Sequence, residues 1–330
     1  MNRRPLLGAA ALALLPGAIP GARRALAQPA TWPSRPVTML VPFVAGGPSD
    51  IVARAISTRM SQTIGQTVVA ENRAGANGEI AGRVLARAEP DGQTLMVGSI
   101  GVYAINAALR PDLGYDPVKD FSPISLAVTT PNVLVVNAER VPVSDVAGLI
   151  AWLKANPGKT SYSTSGVGSS DQMTAELFKQ RVGVDVAHVP YRGGAAAATD
   201  LIAGNVQMSF QNLGTVAAHI QSGRLKALMV TDAQRHPILP SVPTSAEAGL
   251  SDFVVTSWQA VMAPGNMPAA LRTRIHAAVA EALQHPDVKP RLEQIGFTIV
   301  ASTPEAYSQF QQAEIARWRQ VIQVAGIKPE

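Results

Sequence analysis

Residues 41–54 read VPFVAGGPSDIVAR: an apolar run ends in Ala45-Gly46-Gly47-Pro48-Ser49-Asp50, and a helical pattern begins at once. Just upstream, VTMLVPF (37–43) is short, apolar and β-branched, bounded by proline and glycine, which predicts a buried strand. Downstream, Val52, Ile56 and Met60 recur every four residues and give one apolar helix face. A strand that stops in a glycine-rich turn and feeds a helix N-terminus is a general way to hold an anion. The same pattern also serves as a plain tight turn.

Outward from this unit the alternation repeats. Strands are expected at TVVAENR (67–73) and TLMVGS (94–99), with a helix at EIAGRVLARAEP (79–90) between them. A turn-rich segment and a long extended one follow in YDPVKDFSPISLAVTTPNVLVVNAE (115–139). A helix at 144–159 has Ser144 or Asp145 as its cap and Pro-Gly as its stop. Strand and helix then alternate from TSYST (160–164) to LKALMVT (225–231). A proline-rich connection leads to a strand at SWQAVMAPG (257–265), and two helices, near 269–284 and 304–324, close the chain. Such alternation implies βαβ units and an α/β fold on mainly parallel sheets. TSYSTSGVGSSDQMTAELF in the second half has the same strand, Gly/Ser turn and helix design as the opening stretch. Ligands of open α/β sheets sit beyond the carboxyl ends of strands, so two such turns facing each other would bring two helix N-termini to one cleft.

The first 27 residues have a basic start (Arg3, Arg4), an apolar stretch from Leu6 to Leu15 and an Ala25-Leu26-Ala27 box. They read as a secretory signal peptide cleaved after Ala27, hence export. The paired arginines also resemble a twin-arginine signal, and the Sec and twin-arginine routes both remain open. The apolar stretch is well short of the ~20 residues a spanning helix needs. With 28 basic and 23 acidic residues the chain carries +5; the leader removes four arginines and no acids, leaving 24 against 23. A nearly neutral mature protein has no case for nucleic acid, which requires a clustered basic face. It is expected to be soluble and monomeric.

The chain has no cysteine, which excludes disulfides, thiolate metal sites, cysteine nucleophiles and iron–sulfur ligation. Gly46-Gly47-Pro48-Ser49-Asp50 lacks the lysine of a phosphate loop and puts a carboxylate at the helix start. Gly166-Val167-Gly168 lacks the third glycine of a dinucleotide fingerprint, because Asp171 stands there, and the glycines of 75–82 have the wrong spacing. No G-x-S-x-G elbow frames Ser165, which has Ser163 two residues before it. His188, His219, His236, His276 and His285 show no metal-ligand spacing. Neither a metal nor a cofactor is implied. Asp50, Asp171, Asp200 and Asp232 read as capping or turn residues, with Asp50 nearest a cleft. In HVPYRGGAAAATDLI, Tyr191 or Arg192 could meet an acidic ligand, or the stretch is another strand–turn–helix connection.

An ordered set of stretches carries a family likeness: WPSRPVTMLVPFVAGGPSDIVAR, ENRAGANGEIAG, PDGQTLMVGS, YDPVKDFSPIS, LKANPGKTSYSTSGVGSS, AELFK, HVPYRGGAAAATDLIAGNVQM, GRLKALMVT and LPSVPTSAEAG. Over nearly the whole mature chain the sequence resembles the periplasmic solute-binding proteins of the tripartite tricarboxylate transporters, the Bug family. The resemblance implies a two-domain Venus-flytrap fold of the type II binding-protein kind. Domain 1 would comprise 28–127 and 246–330, and domain 2 would comprise 128–245, with crossings near 127–131 and before Trp258. It further implies a small carboxylate, aliphatic or aromatic, held by amides, hydroxyls and bridging waters, and delivery to the membrane subunits of a transporter.

Carried onto this sequence, the first turn would contribute Phe43, Ala45, Gly46, Gly47, Ser49 and Asp50, and the second Thr164, Ser165, Gly166, Gly168, Ser169 and Ser170. Ser99, Tyr191, Arg192, Gly193 and Asn212 would complete the contact set. The pattern departs from the family at three places. Ala45 replaces the proline of Pro-Gly-Gly, Gln172 stands where a histidine follows the serine pair, and Gln211 stands where an aspartate precedes Asn212. Two other readings stay open: a sensor accessory that presents its ligand to a signalling partner, and an exported serine hydrolase using Ser165 or Ser169 with His188.

Overall fold

The computed structural model describes residues 32–328. The leader and its cleavage point after Ala27 lie outside the described residues.

The first half builds a sheet around β1 (Val37–Val41), which pairs in parallel with β2 (Val68–Asn72) and β3 (Thr94–Ser99). The strand expected over 37–43 ends at Val41, because Pro42 has no N–H to continue the ladder. Helix α1 (Pro48–Ile64) follows, with Gly47 as its cap residue, Pro48 at its first position and Gly65 in the left-handed conformation at its end. Helix α2 (Glu79–Ala86) connects β2 to β3. A π-helical turn (Gly101–Ile105) then runs into the short α3 (Asn106–Leu109), between the strand expected at 94–99 and the turn-rich segment from Tyr115, where the sequence predicts no element.

The long strand β4 (Phe121–Asn137) serves two sheets. Its first part pairs antiparallel with β9 (Thr256–Pro264), ending at Pro131 opposite Thr256. From Asn132 onward it pairs antiparallel with β7 (Met208–Asn212) and β8 (Leu225–Val230). The second half adds α4 (Val146–Ala155), capped by Asp145 Oδ1 on the Gly148 N–H at 2.7 Å, and β5 (Ser161–Thr164). Next come α5 (Ser170–Val182), β6 (Ala187–Pro190), α6 (Gly194–Ala203) and α7 (Leu213–Gln221). Strand β5 lies parallel to β6 and β7. The chain closes with α8 (Ala269–Gln284), α9 (Lys289–Gln294), β10 (Thr298–Ile299) and α10 (Pro304–Ala325). The strand order is β2-β1-β3-β9-β4-β7-β5-β6, with β8 and β10 also on β4. The outer strands are therefore parallel and the central β4 and β9 antiparallel to their neighbours.

Each sheet is covered on both faces, and strand alternation sorts the core. Val37, Met39 and Val41 point to a cluster with Val52, Ile56 and Met60 of α1 and Ile275, Val279 and Leu283 of α8. Leu40 and Met96 point the other way, to Tyr103, Trp258, Tyr307 and Trp318. In the second sheet Leu134 and Val136 meet Tyr162, Phe178 and Phe210, whereas Val133 and Val135 meet Leu201, Leu213 and Val216. Trp258 and Trp318 both donate their indole N–H to Glu314 Oε2, at 2.9 and 3.0 Å, so this buried carboxylate satisfies two otherwise orphaned donors.

Candidate functional site

The first turn is organised by Asp50. Its side chain is buried and faces back into the turn: Oδ2 accepts the Gly46 N–H at 2.9 Å and the Arg54 Nε–H at 2.9 Å, and Oδ1 accepts the Asn72 amide at 2.8 Å. Asn72 also donates to the Phe43 carbonyl at 3.0 Å, and Arg54 donates to Asn72 Oδ1 at 2.9 Å. Burial opposes ionisation of Asp50, but the Arg54 guanidinium with the Gly46 and Asn72 donors outweighs it and holds the carboxyl below its ordinary value. The Gly46 N–H is therefore committed within the turn, and Ser49 is buried beneath it. Ala45 and Gly47 keep N–H groups without a protein acceptor among the described residues. Gly46 itself has φ +80°, a conformation that favours glycine.

The second turn repeats the device. Asp171, also buried, accepts the Ser165 N–H at 2.6 Å, the Ser165 hydroxyl at 2.8 Å and the Gln211 amide at 3.1 Å, all on Oδ2. It has no basic side chain within ion-pair distance among the described residues, and burial pushes its carboxyl up against the Ser169 and Ser165 donors. Ser169 caps α5 from Oγ to the Gln172 N–H and donates that hydroxyl to the Gly166 carbonyl at 2.6 Å. The Gly168 N–H meets Gln172 Oε1 at 2.8 Å. Ser170 is buried, and its Oγ accepts from Asn212, which also donates to Asn132 Oδ1 at 2.5 Å across β4 and β7.

His188 is bound into this turn and not to a serine. The Gln172 amide meets Nδ1 at 3.4 Å, which leaves Nε2–H to donate to Thr164 Oγ1 at 2.7 Å. The ring stacks on Tyr162 with centroids 5.0 Å apart, and burial lowers its pKa to about 4.

A third loop joins the first two. The Tyr191 N–H donates to the Thr164 carbonyl at 3.0 Å, and the Gly193 N–H to the Ser165 carbonyl at 3.1 Å. The Tyr191 hydroxyl donates to Asp200 at 2.5 Å; burial and that carboxylate push its pKa up to about 12. A methyl group built on Gly193 would lie 3.4 Å from Val44 Cγ2, so this loop touches the first turn. Arg192 beside it is exposed and has no carboxylate within 4 Å among the described residues. Ser99, at the end of β3, accepts the Gly101 N–H at 3.2 Å. The loops after β1, β5 and β6 thus converge, each opening a helix: α1, α5 and α6 present three N-termini to one region. A separate recess of about 500 Å³, lined by Arg110, Leu113, Tyr115, Ile315 and Arg319 among others, shares no residue with these loops.

Sequence reasoning missed Asn72, Asn77 and the buried role of Gln211. Asn72 ends a strand, and its polar side chain there was the available signal. Gln211 Oε1 is buried with no partner among the described residues, directly over Gly194.

Residues 52–327 match the model of the tripartite tricarboxylate transporter family receptor. A UPF0065 protein from the tcbD-tcbE intergenic region of Pseudomonas sp. (strain P51) is 40% identical over 88% of this chain and 86% of its own. Protein BugT of Bordetella pertussis is 36% identical over 90% of this chain and 91% of its own. Among solved structures, R. palustris Rpa4515 with adipate aligns at TM-score 0.86 and 37% identity, over 91% of this chain and all of that one. MatC of Rhodopseudomonas palustris with bound malate aligns at 0.82 and 34%, over 88% of this chain and all of that one. The periplasmic binding protein BugD aligns at 0.84 and 32%, over 91% of this chain and all of that one. These neighbours have the two-domain fold of periplasmic binding proteins, and the chain belongs to the tripartite tricarboxylate transporter receptor family.

Proposed function

We propose that the protein captures a small carboxylate between the three converging loops and delivers it to the membrane subunits of a tripartite transporter. The observation that carries this reading is the paired design of the turns. In each, a buried aspartate ties down the turn from inside and leaves other N–H groups of the turn unpaired. Ala45 and Gly47 on one side and Val167 and Gly194 on the other have no protein acceptor among the described residues. Three helix N-termini add about 0.3–1 kcal/mol each for an anion. Arg192 supplies a free guanidinium at the rim. Adipate and malate bound to two neighbours support a carboxylate ligand here.

The partner change of β4 after Pro131 and the start of β9 at Thr256 support two lobes with crossings at 127–131 and before Trp258. Residues 1–27 act as an export signal, and the mature protein works as a soluble periplasmic monomer. Binding without turnover is favoured over hydrolysis, because Ser165 is bonded to Asp171, Ser169 to the Gly166 carbonyl, and His188 to Thr164.

The direct test is the melting temperature of the purified protein against mono-, di- and tricarboxylates, with sugars and amino acids alongside. A rise with at least one carboxylate is expected. No rise with any carboxylate, together with a rise from another class, refutes the reading.

A further inference from the structure

Asn77 lies in a 3₁₀ turn (Ala76–Gly78) between β2 and α2, with φ +51°, a left-handed conformation that asparagine tolerates. Both N–H groups of its side-chain amide are used. One N–H donates to Asn106 Oδ1 at 3.0 Å and the other to the Gly168 carbonyl at 2.8 Å. Asn106, fully buried at the start of α3, donates back to the Asn77 carbonyl at 3.0 Å and so fixes the amide's direction. Two glycines clear its place. A Cβ on Gly168 would come within 2.6 Å of Asn77 Nδ2, and one on Gly101 within 2.8 Å of Asn77 Oδ1.

The bond to Gly168 joins the two halves of the molecule, because Asn77 belongs to the first sheet's side and Gly168 to the turn after β5. It is shielded by apolar contacts of the same kind: Met173 of α5 is buried in a cluster with Tyr103, Leu109 and Tyr307, and Val167 packs against that cluster. The Gly168 carbonyl shares its peptide unit with the Ser169 N–H, which donates to the Gly166 carbonyl at 3.3 Å. Moving this carbonyl therefore moves the backbone that opens α5.

We propose that Asn77 is a positioning residue for ligand capture, a latch whose amide holds the Gly168 carbonyl against the first half and sets the Gly166–Ser169 turn only when the halves are together. The inference rests on the reading of the protein as a binder that closes on its ligand. A hydrogen bond made in the closed state alone favours that state, roughly fivefold to tenfold for a bond of ordinary net strength.

Because the chain has no cysteine, two introduced ones can be labelled uniquely. Spin labels at Arg87→Cys and Arg181→Cys, both exposed and on opposite halves, report the spacing between α2 and α5 by pulsed paramagnetic resonance. Asn77→Gly keeps the left-handed backbone without strain and removes the amide. Asn77→Asp keeps the size and turns an oxygen toward the Gly168 carbonyl. The wild type is expected to populate the spacing of this structure, with or without adipate or malate. Asn77→Gly should cut the closed-to-open ratio about fivefold, and Asn77→Asp more, with adipate or malate leaving both variants faster. Distance distributions unchanged in both folded variants overturn the latch, as does a wild type with no population at this spacing. If neither acid binds the wild type, the carboxylate reading fails while the distance measurement still decides the latch.

Discussion

The Asn72 amide meets Asp50 Oδ1 at 2.8 Å and fastens the end of β2 to the helix that the first turn opens. Asp50 thus anchors the turn from behind. Replacing it by alanine leaves the Gly46 N–H and the Arg54 Nε–H without their acceptor and takes one of two acceptors from the Asn72 amide. Asp50→Ala should destabilise by about 2 kcal/mol, the scale of a lost charge-assisted, partly buried set of bonds. Denaturant unfolding measures it. Because the Asp50 carboxyl is held below its ordinary value of 3.8, its contribution is complete above that value and disappears as the pH falls through the folded-state pKa. The stability difference between wild type and Asp50→Asn should therefore shrink below about pH 4.

Glu314 holds two buried indoles on one oxygen. Glu314→Ala strands both N–H groups in an apolar cluster and should cost about 2–4 kcal/mol, whereas Glu314→Gln keeps one acceptor and should cost less. The tryptophan emission maximum provides a second readout, since loosening around Trp258 and Trp318 admits water and shifts emission to longer wavelength.

His188 is neutral in the folded protein over most of the acidic range, with a pKa lowered to about 4 against an ordinary value of 6.5. A depressed histidine pKa means the unfolded chain takes up a proton first. Stability is complete above pH 6.5 and falls as the pH drops toward 4. In His188→Gln this part of the decline should vanish, so the melting temperature over that interval should fall less steeply than in the wild type.

Arg192 is exposed and unpaired among the described residues, so its removal costs the fold nothing that the structure shows. Arg192→Ala should leave the melting temperature within a degree or two and weaken a bound dicarboxylate about tenfold, a loss typical of one charge-assisted contact. Arg192→Glu should weaken it further, and added salt should narrow both differences. Isothermal titration with adipate and malate measures them.

The sequence made the strand–turn–helix units legible because their signals are local. Gly46-Gly47-Pro48 stops β1 and starts α1 within a few residues, and the Ser169 cap does the same for α5. Helix α8 was read at its observed bounds from its uninterrupted pattern. The π-helical turn and α3 escaped because Gly101–Leu109 is apolar nearly all round and carries no cap, so no periodicity marks it. Short α9 and the two-residue β10 fall below the length at which periodicity speaks. The double membership of β4 was invisible for another reason: a long apolar run announces a strand but not which neighbours it takes.

The site divides along the same line. Its glycine and serine positions could be named, since turn chemistry is written in neighbouring residues. The inward direction of Asp50 could not, because Asn72 stands 22 residues away in the chain. Asp171 depends likewise on Gln211, 40 residues off, and the Gly168 carbonyl on Asn77, 91 residues off.

Strand β4 changes sheets at Pro131–Asn132 without a loop between the two pairings. Pro131 offers no N–H to the ladder, and Thr130 before it is confined to extended backbone, so the ribbon there is stiff in stretching and bending but lightly pinned at its edges. The two sheets thus share one continuous strand, so a rotation of one against the other would be taken up as twist within β4, not as slack in a tether.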